Sequence, residues 1–154
     1  MGNIAPEASS EAISRSMKSN KRRDTSPELE VRAILREMGH SGYRIDWKKA
    51  PGRPDIAYPG RKIAIFVNGC FWHRCPMCNL PVPKTHSEYW IDKFEKNIER
   101  DKKNYHDLER NGWKVLVLWE CELKDRKSIE RKLNALFDRL LANTSIIILK
   151  TMAV

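Results

Sequence analysis

Two apolar runs with a long amphipathic stretch between them constrain the fold of this chain more than any other feature. Ile63-Ala64-Ile65-Phe66-Val67 and Trp113-Lys-Val-Leu-Val-Leu-Trp119 each read as a buried strand. From about Ser87 to Arg110, the apolar residues Ile91, Phe94, Ile98, Tyr105 and Leu108 recur at three- and four-residue steps among many Lys and Glu. That spacing predicts a long helix, ended by Asn111-Gly112. A strand reached through a helix is expected to lie parallel to an earlier strand.

Upstream, Tyr43, Ile45 and Trp47 alternate with Arg44 and Asp46, the period of a half-buried strand, and Asp55-Ile56-Ala57-Tyr58 begins a second. Pro59-Gly60 suits the centre of a type II turn, so the first three strands form a meander. Thr25-Ser26-Pro27-Glu28 reads as a helix start: a hydroxyl cap, a proline in the first turn and an acid at the positive end of the dipole. Val31, Ile34, Leu35 and Met38 follow at helical spacing and Gly39 closes that helix. Ser128 can cap a last helix carrying Ile129, Leu133, Leu136, Phe137, Leu140 and Leu141 on one face. The order is αβββαβα, an α/β fold with a mixed sheet flanked by helices. At 154 residues the chain is expected to make one domain, residues 25–154, behind a flexible basic arm at residues 1–24. The short apolar tail Ile146-Ile147-Ile148-Leu149 is assigned to no element.

The segment from Gly69 to Thr85 has no periodicity and needs another source of order. Cys70-x4-Cys75-x2-Cys78, with Cys121 directly after a strand, supplies four thiolates, enough for a closed tetrahedral zinc site. Buried structural thiols are the plainer alternative, and the same spacing also suits a two-iron cluster. The charge balance argues against an electron carrier: 29 Lys and Arg against 20 Asp and Glu leave a net +9. That excess points to a polyanionic partner, with part of it in the arm at Arg15, Lys18, Lys21, Arg22 and Arg23. Contacts of that kind give a salt dependence of slope about −0.9 per phosphate. With 41% apolar and 32% charged residues the chain is too hydrophobic for a disordered protein and too polar for a membrane one. The start of the chain has no signal-peptide pattern and no stretch of 18 apolar residues follows, so a cytoplasmic protein with reduced thiols and no membrane partner is expected.

Three further groups carry possible chemistry. Asp55 stands where a loop becomes a strand, a place for a ligand to a hard cation such as Mg²⁺, although an Asp there is also a common turn former. His73 lies between two candidate metal ligands, free to act as a general base if the cysteines complete the site, and otherwise a ligand itself or an exposed loop residue. Phe71, Trp72 and Trp90 lie in or beside this polar loop, where aromatics stack on bases or simply pack, whereas Trp47, Trp113 and Trp119 have the period of core strand residues. Met17 is an apolar residue of the arm without helical partners.

Taken in order, the blocks Met17-Lys-Ser, Asp24-Thr25-x-Pro-Glu28, Pro51-Gly-Arg-Pro-Asp55-Ile, Phe66-Val-Asn-Gly-Cys-Phe-Trp-His73, Pro83-Lys-Thr, Glu88-Tyr-Trp90, Asn97-x-x-Arg-Asp101, Gly112-Trp113 and Trp119-Glu-Cys121 resemble the very short patch repair (Vsr) DNA mismatch endonucleases. The resemblance implies a restriction-endonuclease-like fold of the PD-(D/E)xK type with a structural zinc. It also implies Mg²⁺-dependent nicking of double-stranded DNA 5′ to the T of a T:G mismatch, the lesion left when 5-methylcytosine deaminates. Carried onto this chain, Asp55 and the backbone carbonyl of Val67 hold Mg²⁺, His73 activates water, and Glu28 orients water from behind the metal. Cys70, Cys75, Cys78 and Cys121 bind zinc. Phe71, Trp72 and Trp90 wedge beside the mismatch from the major groove and Met17 enters from the minor groove, with Lys18, Lys21, Arg22 and Arg23 on the DNA backbone. A monomer is expected, working with mismatch-repair proteins. Two positions depart from the family pattern: Asn68 replaces a second histidine, and Cys75 stands where a histidine commonly binds zinc. A zinc-stabilised DNA-binding module without catalysis and a restriction-type nuclease that cuts matched duplex are the rival readings.

Overall fold

The computed structural model describes residues 21–138. Met17, Lys18, most of the arm, Leu140, Leu141 and the apolar tail therefore lie outside the described residues. The elements are α1 (Ser26–Glu37), β1 (Arg44–Ile45), β2 (Ile56–Tyr58), β3 (Ile63–Asn68), α2 (Ser87–Arg110), β4 (Lys114–Trp119) and a last helix, α3, over residues 126–138. The four strands form one sheet in the order β1-β2-β3-β4. The first three are antiparallel and β4 is parallel to β3, so the sheet is mixed and the fold is α/β as the pattern predicted.

Helix α1 begins as its sequence dictates: the Thr25 hydroxyl accepts from the Glu28 N–H, and the Glu28 carboxylate accepts from the Asp24 N–H at 2.8 Å. Gly39, at φ +81°, carries the chain out of the helix. Strand β1 is shorter than the alternation suggested. Beyond Ile45 only two backbone bonds follow, Asp46 N–H to Asp55 and Trp47 N–H to Pro54, because Pro54 has no N–H to return and Asp46 and Arg53 both sit at positive φ. Pro59–Arg61 forms a 3₁₀ turn with Lys62 left-handed, in place of the expected type II turn.

On α2 Phe94 and Leu108 are buried and Ile98 and Tyr105 half-buried, as the stripe read in the sequence requires, but at its first turn Trp90 is buried in place of Ile91, which is 45% exposed. The cap of α3 is Asp125, whose carboxylate accepts from the Ser128 N–H, rather than Ser128 itself. Helices α1 and α3 cover one face of the sheet, where Val31, Ile34, Leu35, Ile63, Ile65, Leu118, Ile129 and Leu133 form the main core. Helix α2 covers the other face with a smaller set, Ala50, Ala64, Phe66 and Leu108. Trp47 and Trp113 pack half-buried against this second cluster, and Trp119 is also half-buried.

Candidate active site and thiol cluster

The parallel register of β3 and β4 assembles the chemistry. Asn68 pairs with Trp119 at the carboxyl ends of the two strands, and Cys70 and Cys121 each stand two residues further on. Backbone bonds from the Cys75 N–H to Cys70 and from the Asn79 N–H to Cys75 curl the intervening loop back on itself. As a result the Sγ atoms of Cys70, Cys75, Cys78 and Cys121 all lie within 4.8 Å of one another. None is in a disulfide, and Cys75 Sγ is 3.7 Å from Cys121 Sγ. Zinc–sulfur bonds of about 2.3 Å put the sulfurs of a tetrahedral site about 3.8 Å apart, so the donors fit one ion. A two-iron cluster holds two thiolates on each iron, with the pairs set apart by the bridging sulfides, and this tight grouping of all four sulfurs does not offer that spread. Burial pushes the Cys70 and Cys121 thiols up, so a cation is what would let them ionise. Burial opposes ionisation of Cys75 as well, but the N–H groups of Cys78 and Met77 outweigh it and bring that thiol down.

Beside the cluster, a cleft of about 840 Å³ runs between the start of α1, the ends of β2 and β3, and the flank of α2. Asp55, Glu28, Asn68 and His73 all line it, together with Phe71 and Trp72. Asp55 accepts from the backbone N–H of Val67 at 2.7 Å. A strand residue directs its N–H and C=O to the same edge, so the Val67 carbonyl shares that edge with the carboxylate. Burial raises the Asp55 carboxyl to about 6; the Val67 N–H works against that rise and the negative charge of Glu28 adds to it. A half-buried carboxylate made costly by burial and by a neighbouring acid is a group that gains from a cation. Glu28 is 4% exposed and has donors already: the Asp24 N–H, the Thr25 hydroxyl at 3.1 Å and Arg32 Nη2 at 3.1 Å.

His73 Nδ1 lies 2.5 Å from Asp101 Oδ2, on α2. A carboxylate there favours the tautomer with the proton on Nδ1, which leaves Nε2 with a lone pair. The pair can therefore take a proton from water at an imidazole whose orientation is fixed. Phe71 and Trp72 stack edge to face at 5.2 Å, and Phe71 packs on Trp90 and Phe94. Trp90 is 4% exposed, beneath the other two aromatics rather than beside them at the surface. Lys93 Nζ sits 5.3 Å over the Trp72 ring and Asn97 donates to the Trp72 carbonyl.

Lys21 and Arg22 line the same cleft, and Arg22 pairs with Asp46 at 2.8 Å, while exposed Arg23 approaches Asp24. Asp101, Lys93, Asn97 and Asn104 are site residues to which the sequence reading gave no role. Their signal was present: positions 93, 97, 101 and 104 recur at three- and four-residue steps, a polar stripe along one face of α2.

Paired acids and a carboxylate-held imidazole in a cleft edged by Lys and Arg are the equipment of a hydrolase acting on a polyanion. Residues 8–79 match the family model described as DNA mismatch endonuclease Vsr. The chain is 36% identical over 127 residues to DNA mismatch endonuclease Vsr of Escherichia coli, covering 82% of this chain and 80% of that one. It is 39% identical over 116 residues to type II nicking enzyme V.XorIIP of Xanthomonas oryzae pv. oryzae, covering 75% and 85%. To type II nicking enzyme V.NmeAIP of Neisseria meningitidis it is 40% identical over 114 residues, covering 74% and 81%. The protein is a DNA endonuclease, and it belongs to the Vsr DNA mismatch endonuclease family. Among the described residues no helix is long and apolar enough to cross a membrane.

Proposed function

We propose that this endonuclease, acting as a monomer of restriction-endonuclease-like fold, nicks duplex DNA 5′ to the T of a T:G mismatch in a Mg²⁺-dependent reaction that begins mismatch repair. The observation that carries the reading is the single cleft in which Asp55, His73 with Asp101, and the Phe71-Trp72 pair meet. Asp55 and the Val67 carbonyl hold Mg²⁺, which supplies Lewis-acid stabilisation of the charge that builds on the phosphate. His73 accepts a proton at Nε2 from the attacking water while Asp101 holds its Nδ1–H and steadies the imidazolium. Glu28 holds the amino end of α1 against the cleft through Asp24, Thr25 and Arg32, and its negative charge lies beside Asp55 to orient water there. Asn68 meets the phosphate as a hydrogen-bonding group.

Phe71 and Trp72 enter the stack beside the mismatch, with Trp90 and Phe94 as the rigid floor behind them. Unstacking a step costs a few kcal/mol, least at a wobble pair, and this favours the mismatch. Met17, Lys18, Lys21, Arg22 and Arg23 grip the minor groove and backbone. The four cysteines hold zinc, which pins the loop that carries His73 and the wedge.

The test is nicking of two duplexes that differ only in one T:G or C:G pair, with Mg²⁺ and with chelator, and mapping of the cut strand. The expected outcome is one nick 5′ to the mismatched T, Mg²⁺-dependent and slowed about 10²–10⁴-fold by His73→Ala. Cutting of the matched duplex at the same rate would make the protein a restriction-type nuclease. Tight binding with no cut strand would make it a DNA-binding module.

A further inference from the structure

Along the face that β3 turns toward α2, Ala64 and Phe66 are followed by Asn68, a polar residue only 4% exposed. An amide so deeply placed needs its hydrogen bonds satisfied. Asn68 Nδ2 donates to the Tyr105 hydroxyl at 2.9 Å. Tyr105 is itself immobilised, its ring tilted against Phe66 at 4.9 Å, and it stands behind Asn68 rather than among the residues that line the cleft. Burial raises its phenol to about 12, so the hydroxyl remains protonated at any working pH. Among the described residues Asn68 Oδ1 has no protein partner, yet it is not one of the buried polar atoms left without one. Asn68 lines the cleft, where its Oδ1 is open and its Nδ2 keeps a second N–H with no partner among the described residues. It stands one residue beyond Val67, whose N–H holds the Asp55 carboxylate.

Resting on the endonuclease reading above, we propose that Tyr105 is a positioning residue: its hydroxyl locks the Asn68 amide so that the remaining Nδ2–H donates to the phosphodiester in the cleft. The amide carries two N–H groups on Nδ2; Tyr105 takes one and a phosphate oxygen is the natural acceptor for the second. No proton is transferred, since a neutral amide can only orient.

Tyr105→Phe keeps the ring against Phe66 and removes the hydroxyl alone. In single-turnover nicking of a T:G duplex at saturating protein, it is expected to slow the reaction about 3–10-fold, the size of one lost hydrogen bond, with DNA affinity lowered by no more than the same factor. Asn68→Ala is expected to be slower still, and adding Tyr105→Phe to it should bring no further loss, because the hydroxyl acts only through the amide. The ratio of wild-type to Tyr105→Phe rates should stay flat from pH 6 to 9. An equal loss in the Asn68→Ala background, or a ratio that tilts with pH, overturns the proposal.

A second readout needs no cutting. The side-chain NH₂ signal of Asn68 in ¹H–¹⁵N spectra should shift when duplex DNA is added without Mg²⁺, and should shift much less in Tyr105→Phe. A wild-type signal that DNA leaves unmoved overturns the amide contact even in a protein that nicks. A signal that moves in a protein that does not nick overturns the proposed chemistry and supports the contact.

Discussion

The two faces of β3 do different work. Ile63, Ile65 and Val67 point into the aliphatic core under α1 and α3, where neighbouring side chains are almost all fully buried. Ala64, Phe66 and Asn68 point toward α2, where the buried set is small and Tyr105, Trp113, Val115 and Val117 are only half covered. On that side the strand ends in a polar residue beside a cleft lined by five acids, Asp55 and Glu28 among them. Alternation lets one strand be a structural beam on one face and the floor of a site on the other. Stability is thus concentrated where no functional group lies, so that the cleft can keep groups that oppose folding.

The largest effect expected from breaking this division is Asp55→Ala. Loss of a metal-holding carboxylate removes several kcal/mol of transition-state stabilisation, so nicking should fall at least about 10³-fold. The thiol cluster and DNA binding should persist, as read by zinc content and by a gel-shift titration. Wild-type nicking by this variant would remove Asp55 from the metal site. On the opposite face, Ile65→Ala should lower the unfolding free energy in urea by about 2–5 kcal/mol, since Ile65 is fully buried, while the folded fraction nicks at the wild-type rate. A variant that kept its stability and lost activity would show that the two faces are not separable.

How much of this was legible in the sequence follows the same line. Helix α2 runs over Ser87–Arg110 as its periodicity and its Asn111-Gly112 ending suggest, and β4 lies parallel to β3 because a helix joins them. Local patterns sufficed there. They did not give the first turn of the buried face of α2: Ile91 and Trp90 are adjacent, and tertiary contact with Phe71 and Trp72 buries the tryptophan. The cysteine spacing suggested one metal, but the meeting of Cys70 with Cys121 depends on the pairing of Asn68 with Trp119, a register no spacing reveals. Asp101 stood in a recognised block without a role, because its value comes from a histidine 28 positions away. Polar residues on a charged helix look alike until the fold shows which of them face a cleft.

The smallest effect tests whether the cleft does oppose folding. In the folded protein without metal, burial lifts the Asp55 carboxyl from its ordinary 3.8 to about 6, with Glu28 adding to the rise. The folded state then holds this proton more tightly than the unfolded chain does. Its contribution to stability is fully present below about pH 4 and is lost as pH rises through about 6. Asp55→Asn cannot ionise and escapes that loss, while its amide oxygen can still accept from the Val67 N–H. Urea unfolding without added Mg²⁺ at several pH values should therefore show Asp55→Asn gaining on wild type by about 1–3 kcal/mol between pH 4 and pH 8. The other carboxylates cancel in the difference, because both proteins carry them. Mg²⁺ added at pH 8 should stabilise wild type and leave Asp55→Asn unmoved, closing part of the gap through binding to the folded state alone. A gap that stays constant with pH would mean that the Asp55 charge is already well solvated, and the contrast between the two faces of β3 would then be one of packing only.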